Sequence, residues 1–343
     1  GIGVYVENLV SHLSNNVKLK IFLFCYKSTP KSNLENITWV ELPRGPLFYV
    51  YALRKIKSLK IEIFHSPFSG ILPLILGRKA IITVHDLVPE IFPKTSTLPS
   101  RISFSITRLA AKRVGSIISV SNSTKADIES NWKISTPIFV TRLGVNRLRE
   151  KSEKNFKPQS KGYFLSVSTL EPRKNLRTLI LAYLAAKGKN KDFPDLYICG
   201  GSGWKGEKEK LYQIASPSNG AIKFQGYVPD GELSILMSNC KAFFFPSFYE
   251  GVGLPPMEAA LEGAPIFCSK IPSLLEILND VAYFINPNDL KSWTKAFNLA
   301  FSNPDLLLEL SSKSGNFTPI DFSETAESTS EVYYFTKRNQ KTN

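Results

Sequence analysis

Two glutamates, Glu250 and Glu258, are separated by seven residues in the run SFYEGVGLPPMEAALE at residues 247–262. The run follows an apolar, strand-like stretch, Ala242–Phe245, and leads into a helix-like stretch, Met257–Leu261. Between them lie Gly251, Gly253, Pro255 and Pro256. A glycine turn that opens a helix presents backbone N–H groups with no partner inside the helix, and the positive end of the helix dipole. Such a turn seats a phosphate. A carboxylate beside it would repel the phosphate, so Glu250 and Glu258 are read as partners for sugar hydroxyls on either side of it. The chemistry this points to is recognition of a nucleotide sugar.

Other turns carry chemistry at the ends of strand-like runs, where open α/β sheets bind ligands. STLEPRKNL (168–176) places Arg173 and Lys174 side by side, with Asn175 a candidate helix cap. Arg brings a planar fork and Lys a point charge, a pair suited to a diphosphate. GGSGW (200–204) permits close backbone approach or tight packing, and GYV (226–228), ending at Val228, is placed to meet a nucleobase. TVHDLVPEIFP (83–93) puts His85 and Asp86 after a strand, where the imidazole can donate to a sugar hydroxyl or move a proton, or else serve structurally with Asp86 as a local cap. Ser123 or Thr124 is expected to cap the following helix. Gly1 and Gly3 form a further glycine turn at the start of the chain. FYVYALRKIKSLK (48–60) mixes aromatics and cations at helical spacing and suits either an anionic membrane or packing on its own sheet. The sequence contains no D-x-D, G-x-S-x-G or G-x-x-x-x-G-K-[ST] motif, which removes a signalled metal clamp and the usual hydrolase and P-loop readings.

Strand and helix patterns alternate, which predicts parallel sheets between helix layers. In the first half the strands are expected at 19–25, 61–65, 80–85, 116–121 and 137–141, and the helices at 5–13, 48–59, 101–114 and 123–132. The charged run 146–161 reads as a linker. The second half restarts with strands at 163–168, 195–199, 221–225, 242–246, 265–269 and 282–285. Its helices are expected at 176–186, 206–215, 231–239, 256–262, 290–302 and 304–312, with a last one at 323–335. An apolar strand is expected ahead of Gly1, because the first strand of a doubly wound sheet normally lies at its centre.

The 343 residues suffice for two domains, and 43% hydrophobic content supports real cores. No run approaches the roughly 18 apolar residues of a membrane span, GILPLILG (70–77) included. Cys25, Cys199, Cys240 and Cys268 are scattered and read as buried thiols in a reducing cytosol. They and the three histidines show no metal-ligand spacing. The net charge of +14 sits in the first half: residues 1–150 hold 21 Lys and Arg against 9 Asp and Glu, the remainder 22 against 20. An anionic membrane surface is the candidate partner for that excess; no nucleic-acid motif accompanies it.

Taken together, EPRKNL, GGSGW, GYV and SFYEGVGLPPMEA resemble the retaining group 1 glycosyltransferases of the GT-B fold, and HDLVPEIFP looks like the branch that builds surface polysaccharides. The resemblance implies two Rossmann-like doubly wound domains facing across a cleft: 1–150 for the acceptor, 151–318 for the donor, and 319–343 as a helix crossing back to the first domain. It implies that Arg173 and Lys174 hold the donor diphosphate, Glu258 the ribose and Glu250 the transferred sugar. The N–H groups of Gly251, Val252, Gly253 and Leu254 would meet sugar and phosphate, Val228 would lie by the base, His85 by the donor sugar and Gly3 at the cleft wall. Neither metal nor cofactor is implied. Partners would be a nucleotide-diphosphate sugar, with a lean to GDP-mannose, and a glycan or lipid-linked acceptor, on the cytoplasmic side. A nucleotide-sugar epimerase or hydrolase is the alternative, and a basic nucleic-acid-binding module a remote one. The Trp often found before the last helix is absent from DFSETAE (321–327).

Overall fold

A computed structural model describes residues 2–26, 36–45, 47–68, 70–146 and 162–340. The chain divides into two units, one of residues 1–144 and 320–343, the other of residues 145–319. The expected linker lies, apart from Asn146, outside the described residues, as does Gly1.

Unit 1 runs α1 (Ile2–Leu13), β1 (Ile21–Tyr26), β2 (Ile37–Leu42), α2 (Leu47–Ser58), β3 (Phe64–Ser66), α3 (Ile71–Leu76), β4 (Ala80–Val84), α4 (Val88–Ile91), α5 (Leu98–Ala111), β5 (Ser116–Ser119), α6 (Asn122–Trp132) and β6 (Ile138–Val140). Strands β3-β4-β5-β6 form one parallel sheet, and β1 and β2 pair in a second. The run AIITV of β4 is buried at every position, as a parallel strand covered on both faces must be. Its side chains alternate: Ala80, Ile82 and Val84 pack with Ala110, Ala111 and Trp132 of α5 and α6, whereas Ile81 packs with Val332. Three elements go beyond the sequence reading: β2, α3 and the single turn α4. Strand β2 ends in polar-apolar alternation too short to stand out, and α3 is the six-residue core Ile71–Leu76 of the apolar run GILPLILG.

Unit 2 runs β7 (Tyr163–Val167), α7 (Leu176–Lys187), β8 (Asp195–Cys199), α8 (Glu207–Ala215), β9 (Ile222–Gly226), α9 (Asp230–Asn239), β10 (Ala242–Phe245), α10 (Leu254–Leu261), β11 (Ile266–Ser269), α11 (Pro272–Leu278), β12 (Ala282–Ile285), α12 (Leu290–Ser302) and α13 (Pro304–Gly315). Its six parallel strands lie in the order β12-β11-β10-β7-β8-β9. Phe244 faces Phe164, Trp293 and Phe297 on one side of the sheet, and Phe243 and Phe245 face Met237 and Leu274 on the other. Helix α11, not anticipated, starts at Pro272, where a proline costs nothing because the first helical N–H has no partner.

A last helix, α14 (Phe322–Asn339), is capped by Asp321, whose side chain accepts from Ser323 N. It packs on unit 1: Val332 and Tyr333 cover Ile81 and Ile118, and the Thr325 hydroxyl donates to Arg142 O and accepts from Gly144 N. No described helix is long and apolar enough to cross a membrane.

Candidate active site

The strand order of unit 2 reverses between β7 and β10, since the chain steps from β7 to β8 and β9 on one side and returns to β10 on the other. The loops after β7 and β10 therefore lie side by side at the carboxyl end of the sheet, at the switch point where open α/β sheets bind ligands. The first of these loops holds Glu171 to Asn175, the second Ser247 to Gly253.

After β7, residues 172–174 make a single 3-10 turn that ends on Asn175 in the left-handed region at φ 55°. After β10, Phe248 N donates to Arg173 O at 2.9 Å and ties the two loops together. Glu250 is the hub. Its Oε1 accepts from Lys174 Nζ at 2.6 Å and from Ser247 Oγ at 2.6 Å; its Oε2 accepts from Arg173 Nη1 at 3.0 Å. Arg173 also donates to Tyr249 O, and its Nε donates to Glu171 Oε2 at 3.0 Å. Burial pushes the Glu250 carboxyl up, but Lys174 and Arg173 outweigh it and hold the group below the usual carboxylate range. Lys174 and Glu250 are both buried, at 7% and 9% exposure, so this is a desolvated ion cluster rather than a surface pair.

The sequence reading missed two supporting residues, Glu171 and Ser247, and gave a third, Asn175, a different role. Glu171 aims Arg173. Ser247 completes the shell of Glu250. Asn175 occupies the cap position of α7 without capping it; instead its Nδ2 donates to Pro246 O and Pro287 O, stapling the loops after β7, β10 and β12. The signal for Glu171 and Asn175 lay within the EPRKN motif itself. GGSGW has the packing role: Gly200 has φ 141°, and a Cβ there would fall 2.0 Å from Ser168 O. Leu170 N donates to Gly201 O, and Trp204 N donates to Leu170 O, so this segment backs the cationic loop.

Gly253, at φ 106°, caps α10. Pro255 and Pro256 carry no N–H, so the donors of this turn lie at or before Leu254. Glu258 sits half-buried in α10; burial, with Asp230 nearby, pushes its carboxyl up to about 7. Val228 is half-buried against the core formed by α9 and β10, beside Tyr227, which is 77% exposed.

The remaining predicted residues belong to unit 1. Gly3 is inside the first turn of α1 rather than in a glycine loop, because the helix already begins at Ile2. His85 follows β4. Its Nε2–H donates to Pro67 O at 2.8 Å, and its ring meets the edge of Tyr5 with centroids 4.8 Å apart. Burial lowers its pKa, so the imidazole is neutral and, with Nε2–H donating to Pro67 O, it offers Nδ1 as an acceptor. Asp86 caps locally, accepting from Val88 N. Ser121, not Ser123 or Thr124, caps α6, accepting from Thr124 N. A second histidine, His65, was not singled out. Its Nδ1 meets Tyr333 Oη and its Nε2 meets Thr83 Oγ1, both at 2.7 Å, and burial lowers its pKa to about 3.

A profile described as glycosyl transferases group 1 matches residues 148–316, and one described as glycosyltransferase family 4 matches residues 1–148. The chain is 32% identical over 260 residues to O-antigen chain mannosyltransferase B of Escherichia coli, covering 71% of this chain and 66% of that protein. It is 30% identical over 238 residues to O-antigen chain mannosyltransferase RfbU of Salmonella typhimurium, covering 68% and 64%. The chain thus spans just under two thirds of the length of these relatives. Among solved structures it resembles sucrose-phosphate synthase from Thermosynechococcus elongatus, with a TM-score of 0.79 at 18% identity over 97% of this chain and 93% of that one. It also resembles Anabaena HepE in complex with UDP and glucose, with a TM-score of 0.73 at 14% identity over 96% and 95%. With parallel sheets in two α/β units of the GT-B type and both halves matched, the chain belongs to the group 1 glycosyltransferases.

Proposed function

We propose that the chain transfers a hexose, with mannose from GDP-mannose favoured, to a glycan or lipid-linked acceptor during surface polysaccharide synthesis, and that it retains the anomeric configuration. The observation that carries the reading is the Arg173–Lys174–Glu250 cluster at the strand-order reversal of unit 2. Glu250 stands where an anion is wanted, neutralising both cations. An arriving diphosphate competes for Arg173 and Lys174 and releases the Glu250 oxygens for the hydroxyls of the sugar. The mannosyl relatives support the donor sugar, and the matched halves support division of labour, with the donor on unit 2 and the acceptor on unit 1.

In the reaction the bond from the anomeric carbon to the diphosphate oxygen breaks, and its electron pair leaves with the diphosphate. The acceptor oxygen bonds the same face of the carbon, and its proton passes to the leaving phosphate. Arg173, Lys174 and the backbone donors up to Leu254 stabilise the growing negative charge without a divalent ion. Glu258 accepts from the ribose hydroxyls, the backbone at Val228 meets the base, and Nδ1 of His85 accepts from a hydroxyl of the donor sugar. The acceptor is met at an anionic membrane surface on the cytoplasmic side.

The test is turnover of GDP-mannose, UDP-glucose and other donors with a lipid-linked saccharide, with the anomer of the product read by NMR and chelator-treated enzyme run in parallel. Retained configuration, preference for GDP-mannose and activity in chelator are expected. Donor consumption that is independent of acceptor would replace transfer by hydrolysis or epimerisation. Glu250→Ala is expected to lower turnover chiefly, and Glu258→Ala donor affinity.

A further inference from the structure

Helices α2, α3 and α5 form one layer on unit 1. Ala52 of α2 packs with Leu72 of α3, and Leu74 and Leu76 of α3 pack with Ala110 and Ala111 of α5. Not one of the three helices contains an Asp or Glu, and the whole stretch from Ile91 to Ala126 has none while carrying six Lys and Arg. A solvated helix face ordinarily interleaves charges of both signs.

The outward residues are also the wrong ones for water. On α5, Leu98, Ile102 and Leu109 fall on one stripe and are 67%, 54% and 54% exposed. On α2, Leu47, Val50 and Tyr51 share a face and are exposed, as is Ile75 of α3. Single exposed aliphatics are commonplace, but a recurring set over three adjacent helices marks a contact surface. Exposed cations flank them: Arg54 and Lys57 on α2, Lys79 after α3, Arg101 and Lys112 at the two ends of α5.

We infer that the outer face of the α2–α3–α5 layer is a docking surface for an anionic lipid bilayer. Charge decides the occupant. A second copy of the same face would bring cation against cation. A nucleic acid calls for aromatic stacking platforms, whereas this face presents mainly Leu, Ile and Val. Aliphatic side chains between Lys and Arg suit a bilayer interface, where the former enter the acyl boundary and the latter pair with headgroups. The sequence singled out only the α2 segment; α5 joins it through the packing. The inference rests on the proposed function for why a bilayer is met at all, namely a lipid-linked acceptor, but binding is measured without turnover.

The experiment is co-sedimentation of the full chain with phosphatidylcholine vesicles, with and without phosphatidylglycerol, at low and at physiological salt. Four forms are compared: the unaltered chain, Arg101→Glu/Lys112→Glu, Ile102→Ser/Leu109→Ser, and Lys208→Glu/Lys210→Glu on unit 2 as a charge-matched control. The unaltered chain and the control should bind anionic vesicles at least about tenfold better than neutral ones, and the charge-reversed α5 form should lose about tenfold or more. The serine form should lose a smaller, salt-insensitive part. Equal binding to neutral and anionic vesicles, or equal loss in the unit 2 control, would overturn the inference. So would a serine form that binds normally, because the face would then be a general polyanion surface, which duplex DNA would also occupy. A nucleotide-induced thermal shift, measured on all four forms, reports the donor site separately; its absence throughout would count against the proposed function and leave the docking result standing.

Discussion

At the residue scale the two glutamates of the opening motif have opposite electrostatic lives. Glu250 is held ionised by Lys174 and Arg173; Glu258 is pushed up to about 7 by burial. Removing Glu250 leaves the buried Lys174 without its carboxylate and Arg173 with Glu171 as its acidic partner, so Glu250→Ala should cost roughly 3–5 kcal/mol. A nucleotide diphosphate should restore much of that loss. Calorimetry checks it through a ligand-induced Tm shift larger in the variant than in the unaltered chain. For Glu258 the folded pKa lies above the usual carboxylate value. The folded chain therefore keeps that proton up to about pH 7, and stability is lost as pH rises from the unfolded value through 7. Ribose hydroxyls donate to the ionised form, so nucleotide affinity should rise about tenfold from pH 6 to 8. Glu258→Gln should be more stable than the unaltered chain at pH 8, bind nucleotide weakly and show no such pH dependence by titration calorimetry.

The element scale explains why the site residues are where they are. The loop after β7 is shaped from behind by GGSGW, and Gly200→Ala would drive a Cβ into Ser168 O. A destabilisation of about 3 kcal/mol is expected by denaturant unfolding, with nucleotide affinity falling because Arg173 and Lys174 ride on that loop. In unit 1, β3, β4, α1 and α14 are joined by a buried chain: Tyr333 to His65 to Thr83, and Thr83 to Tyr5 with oxygens 3.3 Å apart. Burial holds His65 neutral, with a folded pKa of about 3 against 6.5 unfolded. The unfolded chain takes up that proton first, so this part of the stability is full above pH 6.5 and is lost as pH falls towards 3. Hydrogen exchange of β3, β4 and α14 should show the loss, and His65→Gln should flatten it.

At the scale of the whole molecule, the last helix returns to the unit that begins the chain. Val332 is 2% exposed over Ile81 and Ile118, and Val332→Asp would bury a charge with no partner. Protection from hydrogen exchange should fall across β3 to β6 while β7 to β12 keep theirs, and GDP should still slow exchange at residues 171–175. How much of this was legible beforehand follows the range of the interactions. Local pattern marked most strands, most helices and the chemical types at the site, because burial periodicity and glycine turns are written in neighbouring residues; EPRKN and the two glutamates were found that way. Helices α3 and α11, of six and seven residues, escaped because fewer than two turns set no amphipathic stripe, and β2 escaped because Thr38 and Glu41 interrupt its apolar run. The pairing of Glu250 with Arg173 and Lys174, more than 70 residues apart, depends on the order of β7 and β10. The staple at Asn175, the tautomer of His85, the chain through His65 and the joining of α5 to α2 likewise depend on what the sheets bring together. Sequence alone determined which chemistry is present, because residue types and local turns carry it. The tertiary structure decided which charges meet, which are buried and which face outward, because contact, desolvation and exposure are set by packing across long stretches of chain.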